Sequence, residues 1–142
     1  REEFVEEMRT LARLRHPCVT TVMGAVVERG KEPLLVMELM TNGSLWGVLH
    51  NQSIPIDTDL ILPILRDMIQ GMRFLHAAQP PIVHGDFKSA NVLVDSNFRA
   101  KVADFGLSQK RRVGASVGTP YWMAPELLQA GGAASTTATD VY

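Results

Sequence analysis

The chain has 142 residues, 46% hydrophobic and 20% charged, so it can bury one core and is neither disordered nor collagen-like. Its 14 basic and 15 acidic residues leave a formal charge of -1, which excludes the broad basic field that gathers nucleic acid or anionic lipid. One cysteine, Cys18, excludes an internal disulfide and suits a reducing compartment, and no apolar stretch reaches the ~18 residues of a membrane span.

The chain opens on Arg1 rather than Met, carries no secretory signal and stops at Asp140-Val141-Tyr142, so both ends read as cuts in a longer protein. Phe4, Met8, Leu11 and Ala12 lie at helical spacing and predict a helix over 2–15. His16-Pro17 ends it, because a residue before proline is pushed out of the helical region. Two Val/Leu/Met-rich runs, 19–27 and 34–40, flank a polar turn at 28–33 and predict a strand hairpin. Ser44 can cap a short helix through about His50. Asp57-Thr58-Asp59 then precedes Leu60, Ile64, Met68, Met72 and Leu75, a stripe widened by Ile61, Leu65 and Ile69, as in a helix buried on much of its surface. Pro63 suits only the neighbourhood of the first turn, and Gln79-Pro80-Pro81 closes the helix. The runs 92–94 and 100–103 predict a small hairpin turning at Asp95-Ser96-Asn97. Beyond Asp104, repeated Gly and Pro predict loop, with a second loop from Gly131-Gly132 through 135–139. The order is α+β, without internal repeats.

Three clusters carry chemistry: His84-Gly85-Asp86-Phe87-Lys88-Ser89-Ala90-Asn91, then Asp104-Phe105-Gly106, then Gly118-Thr119-Pro120-Tyr121-Trp122-Met123-Ala124-Pro125-Glu126. Taken singly, each also reads as a turn, a helix cap or a solvated loop. In this order and spacing they resemble a protein kinase, and the resemblance covers essentially the whole chain. It implies a partial bilobal fold: 1–37 the end of the N-lobe, 38–43 the hinge, and 44–142 the first half of the helical C-lobe. It also implies ATP, Mg2+ and a protein substrate, with no nucleic acid, in the cytosol or on the cytosolic face of a membrane-anchored parent, where ATP is found.

Phosphoryl transfer spreads negative charge over the phosphate oxygens, so catalysis is mainly positioning and neutralisation. The resemblance implies that Asp86 orients the attacking hydroxyl and Lys88 neutralises phosphate charge. Asn91 and Asp104 would supply oxygen to Mg2+, which accepts oxygen ligands. Glu7 resembles the helix glutamate that pairs with the ATP-binding lysine. Met37 would stand behind the adenine as gatekeeper, backbone groups of Glu38 and Met40 would bond the base, and Leu93 would pack beneath it. Leu11, Val22, Phe105 and His84 look like the apolar column linking the lobes, with Asp140 as its anchor. Asp-x-Lys with Gly-Thr-Pro-Tyr-Trp-Met-Ala-Pro-Glu is similar to Ser/Thr kinases, with Thr119 bridging Asp86 and Lys88. Met23-Gly24 and Asp140-Val141-Tyr142 resemble the tyrosine-kinase-like group of these enzymes.

Gly85 departs from the pattern, since the usual loop has an arginine there that binds an activation-loop phosphate. Weak dependence on phosphorylation at Ser108, Ser116 or Thr119 is therefore expected, and Lys110-Arg111-Arg112 is an alternative phosphate partner. The 142 residues contain neither a glycine-rich loop nor a lysine strand ahead of Glu7. The segment alone is accordingly expected to be inactive and poorly soluble, with a kinase as its parent. The competing classes are a pseudokinase or nucleotide-binding scaffold, as in the kinase-like domains of receptor guanylyl cyclases, and an interaction fragment.

Overall fold

A computed structural model describes residues 8–9, 11–31, 34–105, 119–129 and 134–142. The elements in chain order are β1 (Val22–Val26), β2 (Leu34–Met37), α1 (Leu45–His50), α2 (Thr58–His76), β3 (Val92–Val94) and β4 (Ala100–Val102). One-turn 3-10 helices at Ser89–Asn91, Pro120–Trp122 and Pro125–Leu127 punctuate the loops. Residues 8–9 and 11–13 are also helical, so the predicted helix over 2–15 ends at 13, where Leu14 bonds back to the Leu11 carbonyl at 3.1 Å. Residues 2–7 and 10 of that prediction lie outside the described residues.

β1 and β2 pair antiparallel, Val22 opposite Met37 and Val26 opposite Leu34, with Met23 the extra residue of a bulge. Both strands are shorter than their apolar runs. The start of the first run pairs elsewhere: Thr20 N–H donates to the Val102 carbonyl at 3.0 Å, and Val102 N–H to the Cys18 carbonyl at 2.9 Å. Backbone groups already satisfied by β4 are withdrawn from the β1–β2 ladder.

Ser44 Oγ accepts from Gly47 N–H at 3.2 Å and caps α1. Asp57 caps α2 by accepting from Leu60 N–H at 2.9 Å. Pro63 lies deeper in α2 than the first turn. The carbonyl it leaves unbonded is that of exposed Asp59, within reach of water. β3 and β4 form the predicted hairpin, Val92 opposite Val102 and Val94 opposite Ala100.

Two apolar clusters share α2. Met72 and Leu75 pack with Met8, Leu11, Val19, Val22, Val102 and Phe105. Ile64 packs with Leu45, Val48, Val92, Val94 and Ala100. The approach of α2 to β4 is set by Gly71, where an added Cβ would lie 2.4 Å from the Cys18 carbonyl oxygen and 2.8 Å from Val102 Cγ2. That oxygen is already bonded to Val102 and cannot retreat. Gly71→Ala is therefore expected to destabilise the fold by about 1–3 kcal/mol through overpacking, against the helix propensity it adds, as read by chemical denaturation.

The buried face of α2 also carries a carboxylate. Asp67, 1% exposed, accepts from Arg99 Nε at 2.8 Å and Nη2 at 2.6 Å, and from Ala100 N–H at 3.0 Å. Burial and the adjacent Asp67 push the Cys18 thiol up, which keeps it protonated.

Candidate active site

The β3–β4 hairpin builds the floor of the site. Its ladder gains one rung past Val92–Val102, where Ala103 N–H donates to the Asn91 carbonyl at 3.0 Å. Asn91 and Asp104 thereby flank the same end of the hairpin. Asp104 is exposed and holds φ at +57°, while Phe105 beside it is 4% exposed and joins the first apolar cluster. A non-glycine residue in this region stores about 1–3 kcal/mol, which the buried Phe105 anchor helps to hold.

The loop from His84 to Asn91 is fastened from within and from below. His84 is fully buried; its Nε2 donates to the Ala103 carbonyl at 2.8 Å and its Nδ1 accepts from Asp86 N–H at 3.2 Å. These partners assign the neutral Nε2–H tautomer, and burial pushes the imidazole below its ordinary value, in the same sense. Asp140 reaches up with both oxygens, accepting from His84 N–H and Gly85 N–H at 2.7 Å each.

Asp86 is the hub of the upper side. Its Oδ1 accepts from Thr119 N–H and Oγ1, both at 3.2 Å. Its Oδ2 faces Lys88 Nζ at 3.1 Å and Asn91 Nδ2 at 3.3 Å. Asn91 Nδ2 also donates to the Asp86 carbonyl at 2.8 Å, and Lys88 Nζ donates to Thr119 Oγ1. Lys88, Asn91 and Thr119 therefore converge on one carboxylate, with Asp104 next to Asn91 across the hairpin.

The Asn91 amide nitrogen is committed to Asp86, so its oxygen is the atom that can face a cation, as the Asp104 carboxylate can. Among the described residues no group of three His, Cys, Asp or Glu side chains forms a closed metal cage. A partial oxygen set suits Mg2+, which keeps waters and binds through one or two carboxylates plus substrate phosphates.

Segment 38–43 is stitched to both strand pairs. Glu38 N–H donates to the Thr21 carbonyl at 3.2 Å, so of its two backbone groups the N–H is the one engaged with the approach to β1. The Met40 carbonyl accepts from Gly43 N–H at 3.0 Å, which closes the turn that follows. Asn42 N–H bonds the Val94 carbonyl at 3.0 Å and Ser44 bridges to Leu93, bringing Leu93 against this segment. Met37 is half-buried against the first apolar cluster.

Sequence reasoning passed over three contacts. Glu38 accepts from Thr21 N–H and from Lys101 Nζ, both at 2.7 Å. Burial raises its carboxyl, but these bonds outweigh that and hold it below the ordinary value. The period-2 pattern of β4 marks Lys101 as facing away from Ala100 and Val102, but nothing local names its partner. His76 Nε2 lies 2.8 Å from Asp140 Oδ2, a pairing across 64 residues without any local signature. On the side of the loop facing α2, a cavity of about 640 Å³ is lined by Met72, His76, Asp86, Lys88, Thr119 and Asp140 among others. Glu7, Gly106, Ser108, Ser116 and Lys110-Arg111-Arg112 lie outside the described residues.

Residues 1–142 match the family model described as protein tyrosine and serine/threonine kinase. The chain is 40% identical to serine/threonine-protein kinase CTR1 of Arabidopsis thaliana, covering 99% of this chain and 18% of that protein. It is 39% identical to "Probable serine/threonine-protein kinase drkB" of Dictyostelium discoideum, over 99% of this chain and 20% of the relative. It is 38% identical to dual specificity protein kinase shkC of the same organism, over 88% and 26%. The chain thus spans about a fifth to a quarter of the length of these relatives. No helix among the described residues is long and apolar enough to cross a membrane.

Proposed function

The chain belongs to the protein tyrosine and serine/threonine kinase family, and on that premise we propose that the full-length protein transfers the γ-phosphate of ATP to Ser or Thr hydroxyls of proteins. The observation that carries this reading is the single carboxylate of Asp86 gathered by Lys88, Asn91 and Thr119 at the hairpin end that also bears Asp104. Asp86 accepts the hydrogen bond of the incoming hydroxyl and turns its oxygen toward the phosphate. Lys88, already beside that carboxylate, offsets charge that grows on the transferring group. Asn91 and Asp104 are the residues that would hold Mg2+, whose charge neutralises the phosphate oxygens when it is bound. The Glu38 carbonyl and the Met40 N–H would receive the base, beside Leu93 and with Met37 behind it. The Lys88–Thr119–Asp86 linkage supports Ser/Thr over Tyr, because it places a lysine where the chain approaches the transferred group.

The test is incubation of the full-length protein with radiolabelled ATP, Mg2+ and a general protein substrate, followed by phosphoamino-acid analysis. Label on Ser and Thr is the expected result. Label on Tyr alone overturns the Ser/Thr assignment, and ATP binding without transfer moves the protein to the pseudokinase class.

A further inference from the structure

We propose that Asn42 is a positioning residue for the nucleotide base, fixing the segment that receives it against the β3–β4 hairpin; the proposal deepens the kinase reading above and rests on it. Asn42 N–H donates to the Val94 carbonyl at 3.0 Å, and Val94 N–H donates to the Gly43 carbonyl at 2.8 Å. Ser44 then bridges to Leu93. The backbone pairing stops at Val94. The Asn42 side chain carries it one residue further, because its Nδ2 donates to the Asp95 carbonyl at 2.7 Å. Segment 38–43 is thereby tied to the turn that joins β3 to β4.

The anchor is stiff, and the segment it holds is not. Asp95 N–H donates to the Arg99 carbonyl at 2.9 Å, and the Asp95 carbonyl also accepts from Phe98 N–H at 3.1 Å. Asp95 Oδ1 accepts from the N–H groups of Asn97 and Arg99 at 2.8 and 2.9 Å. Bonds from an aspartate to its own following backbone fix a turn. On the other side, Gly43 sits at φ +68°, and glycine takes positive and negative φ about equally. Packing holds Met40, which is buried, but not its neighbours: Leu39 is 86% exposed, and Thr41 and Gly43 are exposed. Glu38 secures the near end of the segment through Thr21 and Lys101. Asn42 secures the far end. Leu93, which would pack beneath the base, lies in β3 two residues before Asp95, so the spacing between Leu93 and the base-receiving segment depends on this bond. The loop from His84 to Asn91 is fastened separately, by Asp140 and by His84 itself. Loss of the Asn42 donor therefore loosens a contact made equally before and during transfer. Such a loss raises KM for ATP and spares kcat.

The experiment compares the full-length wild type with Asn42→Ala, which deletes the donor, and Asn42→Asp, which keeps the shape and sets an acceptor against the Asp95 carbonyl. KM for ATP, kcat at saturating ATP and the dissociation constant of adenosine are measured on each. Adenosine is the probe because it has no phosphates, so its affinity reports the base slot apart from the phosphate and Mg2+ side. In both variants KM for ATP and the adenosine dissociation constant are expected to rise together by about 3- to 10-fold, the factor that one hydrogen bond carries, with kcat within about twofold of wild type. Wild-type adenosine affinity in both folded variants overturns the proposal. So does a fall in kcat at unchanged KM, which would place Asn42 with the reacting groups. If Asn42→Ala does not fold, Asn42→Asp makes the same comparison. A wild type that binds adenosine but transfers no phosphate fails the kinase reading, and the adenosine comparison still decides the role of Asn42. A wild type that binds neither ATP nor adenosine overturns both.

Discussion

Asp86→Asn in the full-length protein is expected to lower kcat by about 10²- to 10⁴-fold, the range that one positioned proton acceptor supplies. The substitution keeps the shape of the side chain, and an amide oxygen can still accept from Thr119 N–H and Oγ1. Charge and the second acceptor are what disappear, and the new NH2 meets two donors, Lys88 Nζ and Asn91 Nδ2. Both partners are partly solvated, with Lys88 and Asp86 side chains 21% and 26% exposed. The lost ion pair therefore costs only about 0–1 kcal/mol of stability. The melting temperature and KM for ATP should stay close to wild type while turnover collapses. Steady-state kinetics on a folded variant decide the matter, and unchanged turnover would remove Asp86 from the chemistry.

The largest effect on stability is expected far from the reacting atoms. Asp67→Ala should cost about 3–5 kcal/mol, because it removes the buried half of a forked ion pair and, with it, the acceptor of a buried backbone N–H. Arg99, 59% exposed at its side chain, can turn to water and softens the loss. Ala100 N–H cannot, and a buried unsatisfied donor costs about 1–3 kcal/mol by itself. Against the ~5–15 kcal/mol of a typical domain, this threatens folding. Burial pushes the Asp67 carboxyl up, but the Arg99 and Ala100 bonds more than offset that and leave it below its ordinary value of 3.8. A group lowered on folding stabilises the native state fully above its unfolded value, and that contribution is lost as pH falls through the folded one. The difference between wild type and Asp67→Ala in chemical denaturation should thus be constant at neutral pH and shrink below about pH 4. A difference that grows on acidification would show the carboxyl raised instead.

Much of the site was legible residue by residue. Asp86, Lys88, Asn91 and Asp104 occupy fixed offsets, and a short hairpin between the last two can only bring them together. Capping was equally readable at Ser44 and Asp57, since an N-cap is a local bond between a side chain and a backbone N–H a few residues on. Strand lengths were not readable. The run 19–27 is uniformly apolar, and nothing within it says that 18–20 will pair with β4 while 22–26 pairs with β2. Asp67 offers a partial signal, a carboxylate on the apolar stripe with Ile64, Gly71 and Leu75. Stripe position marks burial without naming the arginine that makes it tolerable.

By itself, the amino-acid order determined the kinase family, the α+β class and which charged residues stand close together in the chain around the hairpin, because these depend on residue type and short spacing. Only the tertiary structure decided that His76 holds Asp140, that Lys101 and Thr21 hold Glu38, and that Gly71 sets how near α2 lies to β4. Those contacts join residues tens of positions apart, and their partners are chosen by which surfaces meet when the apolar clusters close.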